Sequence, residues 1–355
     1  MSKDFHDMQF DSASILKLDI FADYLNSWLP VFVHDEYTKR INIFDLFCGP
    51  GVDKKDNSGS PLQVCSVINK HKDNLSSKNK TIFIWFNDKD KKKVDQTKVN
   101  TEPYLKNIKC LYTSQSFEEC FEQIKKQGFH KDEANFFFLD PTGLVNYQEV
   151  LTSLFSFKKT DFLLFIPSSQ IARFCQQPGF QQLGIPEKVT ERDMPKYLCT
   201  HLKSLVHNND IFLVPFSLKK ENSRNNNIYC IIFGSKHLLG LDKFLKVLWD
   251  KSDNGEANYN LGGDVVKQDQ LALLPELNIP KKIPNFQDEL EQKIRNKEFV
   301  FNKDIYIYAL TSGFLPKHAK EVLSKLKKEG LLKKVPALSY DRVMKEAERL
   351  VYADI

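Results

Sequence analysis

The stretch INIFDLFCGPG, residues 41–51, decides the fold class, because a short apolar strand runs directly into an acid and a glycine-rich turn. A ligand over the carboxyl end of a parallel sheet needs the backbone close to it, and glycine allows that approach. The Asp45 carboxylate at the strand end can bind the amino group of a ligand that contains a methionine moiety. Ser60 as helix cap and Pro61 in the first turn then predict a helix start, which makes a plain tight turn the weaker alternative. The candidate cofactor-binding residues of this segment are Asp45, Phe47, Gly49 and Gly51.

Further short apolar runs, separated by polar loops and stretches long enough for crossover helices, predict a mostly parallel sheet. Two last runs joined by a polar loop predict an antiparallel hairpin. The runs after residue 51 are TIFIWF (81–86), NIKCLY (107–112), NFFFLD (135–140), DFLLFI (161–166), IFLVPF (211–216) and NIYCIIFG (227–234). We therefore expect an α/β, Rossmann-like, seven-stranded sheet with a terminal antiparallel hairpin, in a domain over residues 1–280 with a helical insert at 168–210.

That arrangement is the one found in class I S-adenosylmethionine (SAM)-dependent methyltransferases, so the expected cofactor is SAM. A dinucleotide-binding Rossmann domain is the alternative, but it would not usually end in a hairpin, and the turn is not GxGxxG. Asp88, which closes the second strand, is the candidate for the ribose hydroxyls. Asp90 could serve instead, and an ordinary acid at a strand end is the plainer interpretation.

Asp140 and Pro141 follow the fourth strand and are the candidate catalytic residues. Amino methyltransferases have NPPY or DPPY at this place, where the acid and a backbone carbonyl hold the target amine. Here Thr142 and Gly143 follow instead, so the second proline and the aromatic residue are missing. Past the fifth strand, Ser168 and Arg173 are candidates for substrate contacts, although an Arg there is more often a surface residue.

The segment 284–355 predicts a small, separate, winged-helix-like domain. Two helical stretches precede LPKHAKEVLSKLKKEG, an amphipathic helix that ends at Gly330, and LLKKVP could begin a wing. Residues 312–334 contain seven lysines and two acids, an excess consistent with phosphate contacts. Lys317 and Lys320 are the candidate nucleic-acid ligands; a docking domain with a solvated basic face is the alternative.

Composition limits the remaining classes. The chain has 355 residues, 41% hydrophobic and 27% charged, and no apolar run long enough to span a bilayer, so we expect no membrane contact. Seven scattered cysteines, without CxxC pairs or zinc-ligand spacing, predict no metal site, and with no export signal they favour reduced thiols in the cytoplasm.

The chain resembles the three-Cys-motif partner proteins of bacteria over roughly residues 14–250. The matching strings are KLDIFADYLNSWLPVF, FDLFCGPGV with GSPLQ, FFFLDPTGL, DFLLFIPSS and YCIIFGSKHLLGLDKFLKVLW. The family more commonly has alanine at Cys48 and phenylalanine at Thr142. The resemblance implies a Rossmann methyltransferase-like fold, a cysteine-motif partner protein and a nucleic-acid or phage-defence setting. The Asp-Pro-x-Gly string is also similar to that of tRNA guanine-N2 methyltransferases, which implies an exocyclic amine as target.

Two functions follow as hypotheses. The first is a SAM-dependent methyltransferase acting on DNA or RNA. The second is a non-catalytic adaptor that keeps the fold, binds nucleic acid or the partner, and leaves the chemistry to that partner. A nuclease is disfavoured, because no acid-and-lysine constellation for two metals is visible.

Overall fold

The computed structural model describes residues 10–141, 143, 145–174, 186, 189, 193–206, 211–219, 228–251 and 282–353. The chain divides into two compact units, residues 1–240 and residues 241–355. Thr142 and much of the expected insert at 168–210 lie outside the described residues.

A seven-stranded sheet forms the centre of the first unit, in the order β3-β2-β1-β4-β5-β7-β6. Strands β1 to β5 are parallel, whereas β7 is antiparallel to both β5 and β6. The bounds are β1 Arg40–Asp45, β2 Thr81–Asn87, β3 Lys109–Thr113, β4 Glu133–Leu139, β5 Thr160–Ile166, β6 Phe212–Lys219 and β7 Ile228–Ser235. The expected fold class, mostly parallel with an antiparallel end, is confirmed.

Helices connect and cover the strands. In the first unit they are α1 Ser12–His34, α2 Ser60–Lys70, α3 Lys72–Ser77, α4 Lys91–Thr101, α5 Phe117–Gln127, α6 Tyr147–Ser156, α7 Ser168–Phe174 and α8 Met194–Leu205. The expectation that Ser60 caps α2 is wrong by one residue: Gly59 is the N-cap, Ser60 begins the helix, and Pro61 is in the first turn. The reason is a close approach, since the Gly59 N–H donates to the Gly51 carbonyl and a Cβ on Gly59 would lie 3.0 Å from that oxygen.

Aromatic side chains pack on both faces of the sheet. Because side chains alternate along a strand, Phe136 and Phe138 of β4 point to one face and Phe137 to the other. On the first face Phe21 of α1 packs against Phe138, with ring centroids 4.1 Å apart. On the second face Phe137 stacks on Phe44 of β1 at 4.4 Å. The sheet is therefore buried on both sides, and its carboxyl edge is where polar groups collect.

The second unit is built from helices and two isolated β-bridges. Its helices are the greater part of α9 Leu238–Asp250, then α10 Lys282–Arg295, α11 Asn302–Thr311, α12 Pro316–Lys328 and α13 Tyr340–Lys345. The segment around Arg349 to Tyr352 pairs with Phe301 on one side and with Leu332 on the other. Asn302 joins these parts, because its side chain donates to Ala337 and accepts from Glu348, both at 2.8 Å.

Helix α10, the bridge residue Phe301, helices α11 and α12 and the bridge residue Leu332 follow one another, and α13 precedes the closing segment; this order is similar to that of a winged helix. The five apolar positions predicted to share one face of α12 are all buried: Leu315, Ala319, Val322, Leu323 and Leu326. Gly330 ends the helix with a φ of +80°, as its conformational freedom allows. The expected winged-helix domain is confirmed. None of the helices in the described ranges has the length and apolar character needed to cross a membrane.

Candidate active site

Three acids meet at the carboxyl edge of the sheet, where the direction of winding reverses between β1 and β4. Asp45, the last residue of β1, lies opposite Phe86 of β2 and Phe138 of β4. Asp88 and Asp140 each come two residues after those partners. We call Asp45, Asp88 and Asp140 the strand-end acids. An α/β sheet binds its ligands at such a switch point, so this edge is the candidate site.

Asp45 is fully buried, and neither of its carboxylate oxygens accepts a hydrogen bond of good geometry from a described residue. Burial raises the pKa of Asp45 to about 7. The neighbouring Asp140 and Asp88 charges raise this pKa further, whereas the nearby Ser60 hydroxyl and Phe47 N–H lower it. A buried acid whose nearby donors, Ser60 and Phe47, make no hydrogen bond of good geometry is costly to keep, so this carboxylate is suited to receive a donor from a ligand.

The turn after β1 is held by contacts between backbone and side chains. Gly49 and Gly51 have φ values of +60° and +86°, a backbone region that residues other than glycine adopt only with strain. The Gly49 N–H donates to Asp88 at 3.2 Å, and the Gly49 carbonyl accepts from the Thr97 hydroxyl at 2.6 Å. Phe47, between Asp45 and this turn, stacks on Phe117 of α5 at 5.1 Å. The turn and the end of β2 therefore form one rigid unit.

The two acids proposed for the ribose have different surroundings. Asp88 is partly exposed and accepts from the Gly49 and Asp90 N–H groups. Asp90 caps α4, accepting from the Lys92 N–H at 2.9 Å. Both acids already accept backbone N–H groups, but Asp88 contacts the glycine turn and Asp90 caps α4, so Asp88 is the one of the two that borders the candidate site.

Asp140 is engaged by a residue that the sequence analysis did not single out. Lys17 of α1 forms an ion pair with its Oδ2 atom, and the Lys17 ammonium also lies 5.0 Å from the centre of the Phe165 ring. Pro141, next to Asp140, is buried. The helical spacing of Lys17, Phe21, Tyr24 and Trp28 could have shown from sequence that Lys17 shares the face of α1 that packs on the sheet.

Asn87, which closes β2 beside Asp88, has a structural role that was not predicted, and Gln115 was missed. The Asn87 side chain donates to the Leu46 and Gln115 carbonyls and accepts from the Thr113 hydroxyl at 2.8 Å. It therefore ties together the ends of β1, β2 and β3. The side-chain oxygen of Gln115 is buried and has no hydrogen-bond partner in the described ranges. The position of Asn87 at a strand end was visible in the sequence, whereas nothing in the sequence indicates the surroundings of Gln115.

Two of the remaining candidates lie on α7, which follows β5. Ser168 begins α7 and is fully buried, while Arg173 near the end of that helix is exposed. The substrate contacts expected of these two residues stay predictions. No group of three or more potential ligands is arranged to hold a metal ion in the part of the chain that the structure describes.

Lys317 and Lys320 are exposed on α12 in the second unit. They line a shallow groove whose other lining residues are Glu321, Ser324, Lys325, Lys328 and Glu329. Acidic side chains of the same helix are held by α10: Glu321 accepts from Gln287 at 2.7 Å, and Glu329 pairs with Arg295. Neither Lys317 nor Lys320 forms an ion pair with a described residue. The groove lining contains four lysines and two glutamates, so it keeps a net positive charge of two.

Comparison with known proteins gives one match to a family model: residues 265–339 match the GMT-like wHTH domain, a winged helix-turn-helix. No curated protein matches the chain. Among solved structures, the complex of Trm1 from Pyrococcus horikoshii with S-adenosyl-L-methionine is similar at 11% identity and a TM-score of 0.40. The match covers 67% of this chain and 59% of the length of the Trm1 chain. The family model thus identifies a winged-helix domain in the second unit.

Proposed function

We propose that this protein is a SAM-dependent methyltransferase that acts on nucleic acid. The observation that supports it most is the buried Asp45 carboxylate, which lies at the switch point of the sheet without a hydrogen-bond partner of good geometry among the described residues. A buried acid of this kind fits a ligand that brings its own ammonium group. The turn at Gly49 and Gly51 supports the same ligand, because it lets the backbone come close.

The residues at the carboxyl edge fit the parts of SAM in order along the sheet. Asp45 would take the ammonium of the methionine part and Asp88 the ribose hydroxyls. The buried oxygen of Gln115, in the loop after β3, would accept from the exocyclic amine of the adenine. When bound, SAM supplies a methyl group on a positively charged sulfur.

The protein's own part in the reaction is to align the acceptor. Asp140 and the backbone at Pro141 would hold and orient an acceptor amine, and alignment of reacting atoms can supply much of a rate enhancement. The buried aromatic residues below the edge, among them Phe138 and Phe165, exclude water from beneath the strand-end acids.

Nucleic acid is the proposed substrate because of the second unit. A winged-helix domain with the exposed Lys317 and Lys320 on α12 is suited to contact phosphates. A cysteine-motif partner protein and a role in phage defence belong to this proposal and rest on the sequence resemblance alone. A cytoplasmic place also belongs to it and rests on the scattered cysteines.

Calorimetric titration of the whole chain with SAM and S-adenosylhomocysteine tests the proposal. Micromolar binding is expected, with a loss of at least tenfold in Asp45→Ala and in Asp88→Ala. Asp95→Ala is the matched control, because Asp95 is an exposed acid on α4 that pairs only with Lys91 in the described ranges. Absence of binding in the unaltered protein would contradict the proposal.

The second candidate function is a non-catalytic adaptor with the same fold. The Lys17–Asp140 ion pair favours it, since the group proposed to hold an acceptor already has a partner. An adaptor would bind nucleic acid with a steep dependence on salt yet transfer no methyl group from labelled SAM. Methyl transfer to DNA or RNA by the wild-type chain, lost in Asp140→Ala, would exclude it.

A further inference from the structure

The N-terminal helix fixes Lys17 above the end of β4. Lys17, Phe21, Tyr24 and Trp28 recur at intervals of four, three and four residues, so they lie on one face of α1. Phe21 packs on Phe138, which comes two residues before Asp140. The same face is held further along the helix, where the Tyr24 hydroxyl donates to a buried carboxylate of β5 at 2.6 Å. The backbone of Lys17 therefore has little freedom to move.

The Lys17 side chain is directed at the carboxyl edge of the sheet. Its ammonium pairs with Asp140 and lies over the Phe165 ring, and only 18% of the Lys17 side chain is exposed, against 32% of the Asp140 side chain. A lysine that only needed solvation would not be held between a carboxylate and an aromatic face. This placement makes Lys17 part of the site and not of the general surface.

Lys17 changes the charge of the strand-end acids. Asp45, Asp88 and Asp140 are close enough for the last two to raise the pKa of the first. In the described ranges, Lys17 is the one cation that forms an ion pair with any of the three. The positive charge of Lys17 balances the negative charge of Asp140 at this edge of the sheet.

We propose that Lys17 is a specificity-determining residue that limits how strongly the site prefers a ligand with an additional positive charge over its neutral counterpart. The inference rests on the proposed function. There the charged ligand is SAM, with its sulfonium, and the neutral counterpart is S-adenosylhomocysteine, with a thioether in place of the sulfonium. Without Lys17, the uncompensated charge of Asp140 would add to the preference for the sulfonium. Lys17 reduces that preference by placing a positive charge at Asp140, the acid nearest the acceptor side of the site.

The test is the ratio of the two dissociation constants, measured by calorimetry on the full chain. In Lys17→Met the preference for SAM over S-adenosylhomocysteine is expected to rise roughly five-fold, which corresponds to about 1 kcal/mol for one unit charge in a partly solvated site. Lys17→Arg keeps the charge and should keep the wild-type ratio. Asp140→Asn should lower the ratio, since it removes a negative charge that the sulfonium experiences.

The ratio separates this role from a structural one. Damage to the fold weakens both ligands together, because they share every other group, and leaves their ratio unchanged. Lys39→Met is the matched control: its side chain is 82% exposed, and it removes the same charge from the opposite end of β1. If Lys17→Met and Asp140→Asn both bind the two ligands with the wild-type ratio, the inference is wrong while the proposed function stands. If the wild-type protein binds neither ligand, both are wrong.

Discussion

At the residue scale, the Asp45 carboxylate links binding to pH. Burial raises the pKa of Asp45 to about 7, so near pH 6 most of the free protein has a neutral Asp45. A ligand ammonium binds the ionised form and must first displace the proton. The affinity for S-adenosylhomocysteine is therefore expected to rise about tenfold from pH 6 to pH 8 and to level off above that. Titrations across this range check it, and Asp45→Asn should remove the dependence along with most of the affinity.

The same carboxylate is predicted to cost folding stability. Because the folded pKa of Asp45 lies above the unfolded value of 3.8, the folded state retains a proton that the unfolded state loses between about pH 4 and pH 7. The contribution of Asp45 to the free energy of unfolding therefore falls as pH rises through this window, by on the order of 4 kcal/mol for a shift of this size.

Asp45→Asn should consequently raise the free energy of unfolding by roughly 1–3 kcal/mol at pH 8, less than the full shift because the amide also needs hydrogen bonds. At pH 4 the two proteins should be nearly equal. Denaturant unfolding at both values measures it. Burial also raises the pKa of Asp161 to about 6, so Asp161 makes the free energy of unfolding fall with pH in the same direction. The contribution of Asp45 is therefore obtained from the difference between the variant and the parent protein. Equal stabilities at pH 8 would count against a buried charge at Asp45.

At the scale of elements, substitutions can distinguish two effects of the glycine turn after β1: its effect on folding stability and its effect on ligand binding. In Gly51→Ala the new Cβ would lie 3.6 Å from atoms of Asn100 and Thr97, so there is space for it. The backbone φ of +86°, however, is strained for alanine. The expected cost is about 1–2 kcal/mol of unfolding free energy, with a clear loss of ligand affinity.

Gly128→Ala is the matched control for that variant. Gly128 follows α5 with a φ of +61° and has nothing within 4 Å of its Cβ position. With a ψ of −173° its backbone is in a region restricted to glycine, so Gly128→Ala should lose at least as much stability in thermal unfolding and bind the ligand normally. A Gly51→Ala protein that binds like the Gly128→Ala protein would argue against close backbone approach at the turn.

Among the elements, the strands were predictable from the sequence, whereas the order of β7 and β6 at the end of the sheet was not predicted. Each apolar run became a strand within a few residues, because runs buried on both faces have few other structures open to them. The sequence also contained an unused signal: Pro215 in β6 cannot donate to a ladder, which favours an edge position and leaves β7 beside β5. The Lys17–Asp140 pair joins residues far apart in sequence, and local patterns do not specify such a contact.

At the scale of the whole molecule, the charge is mild, a formal +5 at pH 7, so its distribution matters more than its sum. On α12 the acids are held by α10, and Lys317 and Lys320 are left facing the groove. Glu321 and Glu329 also line this groove, but its four lysines leave a surplus of two positive charges. The sequence predicted the basic helix from its composition, but not this arrangement of its acids.

The double variant Lys317→Ala/Lys320→Ala tests whether this groove contacts phosphates. If each lysine neutralises one phosphate of duplex DNA, the slope of log affinity against log salt should become shallower by about 2, with weaker binding at low salt whatever the base sequence. Lys39→Ala/Lys98→Ala makes the same change in net charge on exposed residues of the first unit, and should leave the slope unchanged. Fluorescence anisotropy with a labelled duplex at several salt concentrations measures both. Equal slopes in the two double variants would mean that net charge, and not the α12 groove, attracts the nucleic acid, and the nucleic-acid part of the proposal would then lose its structural basis.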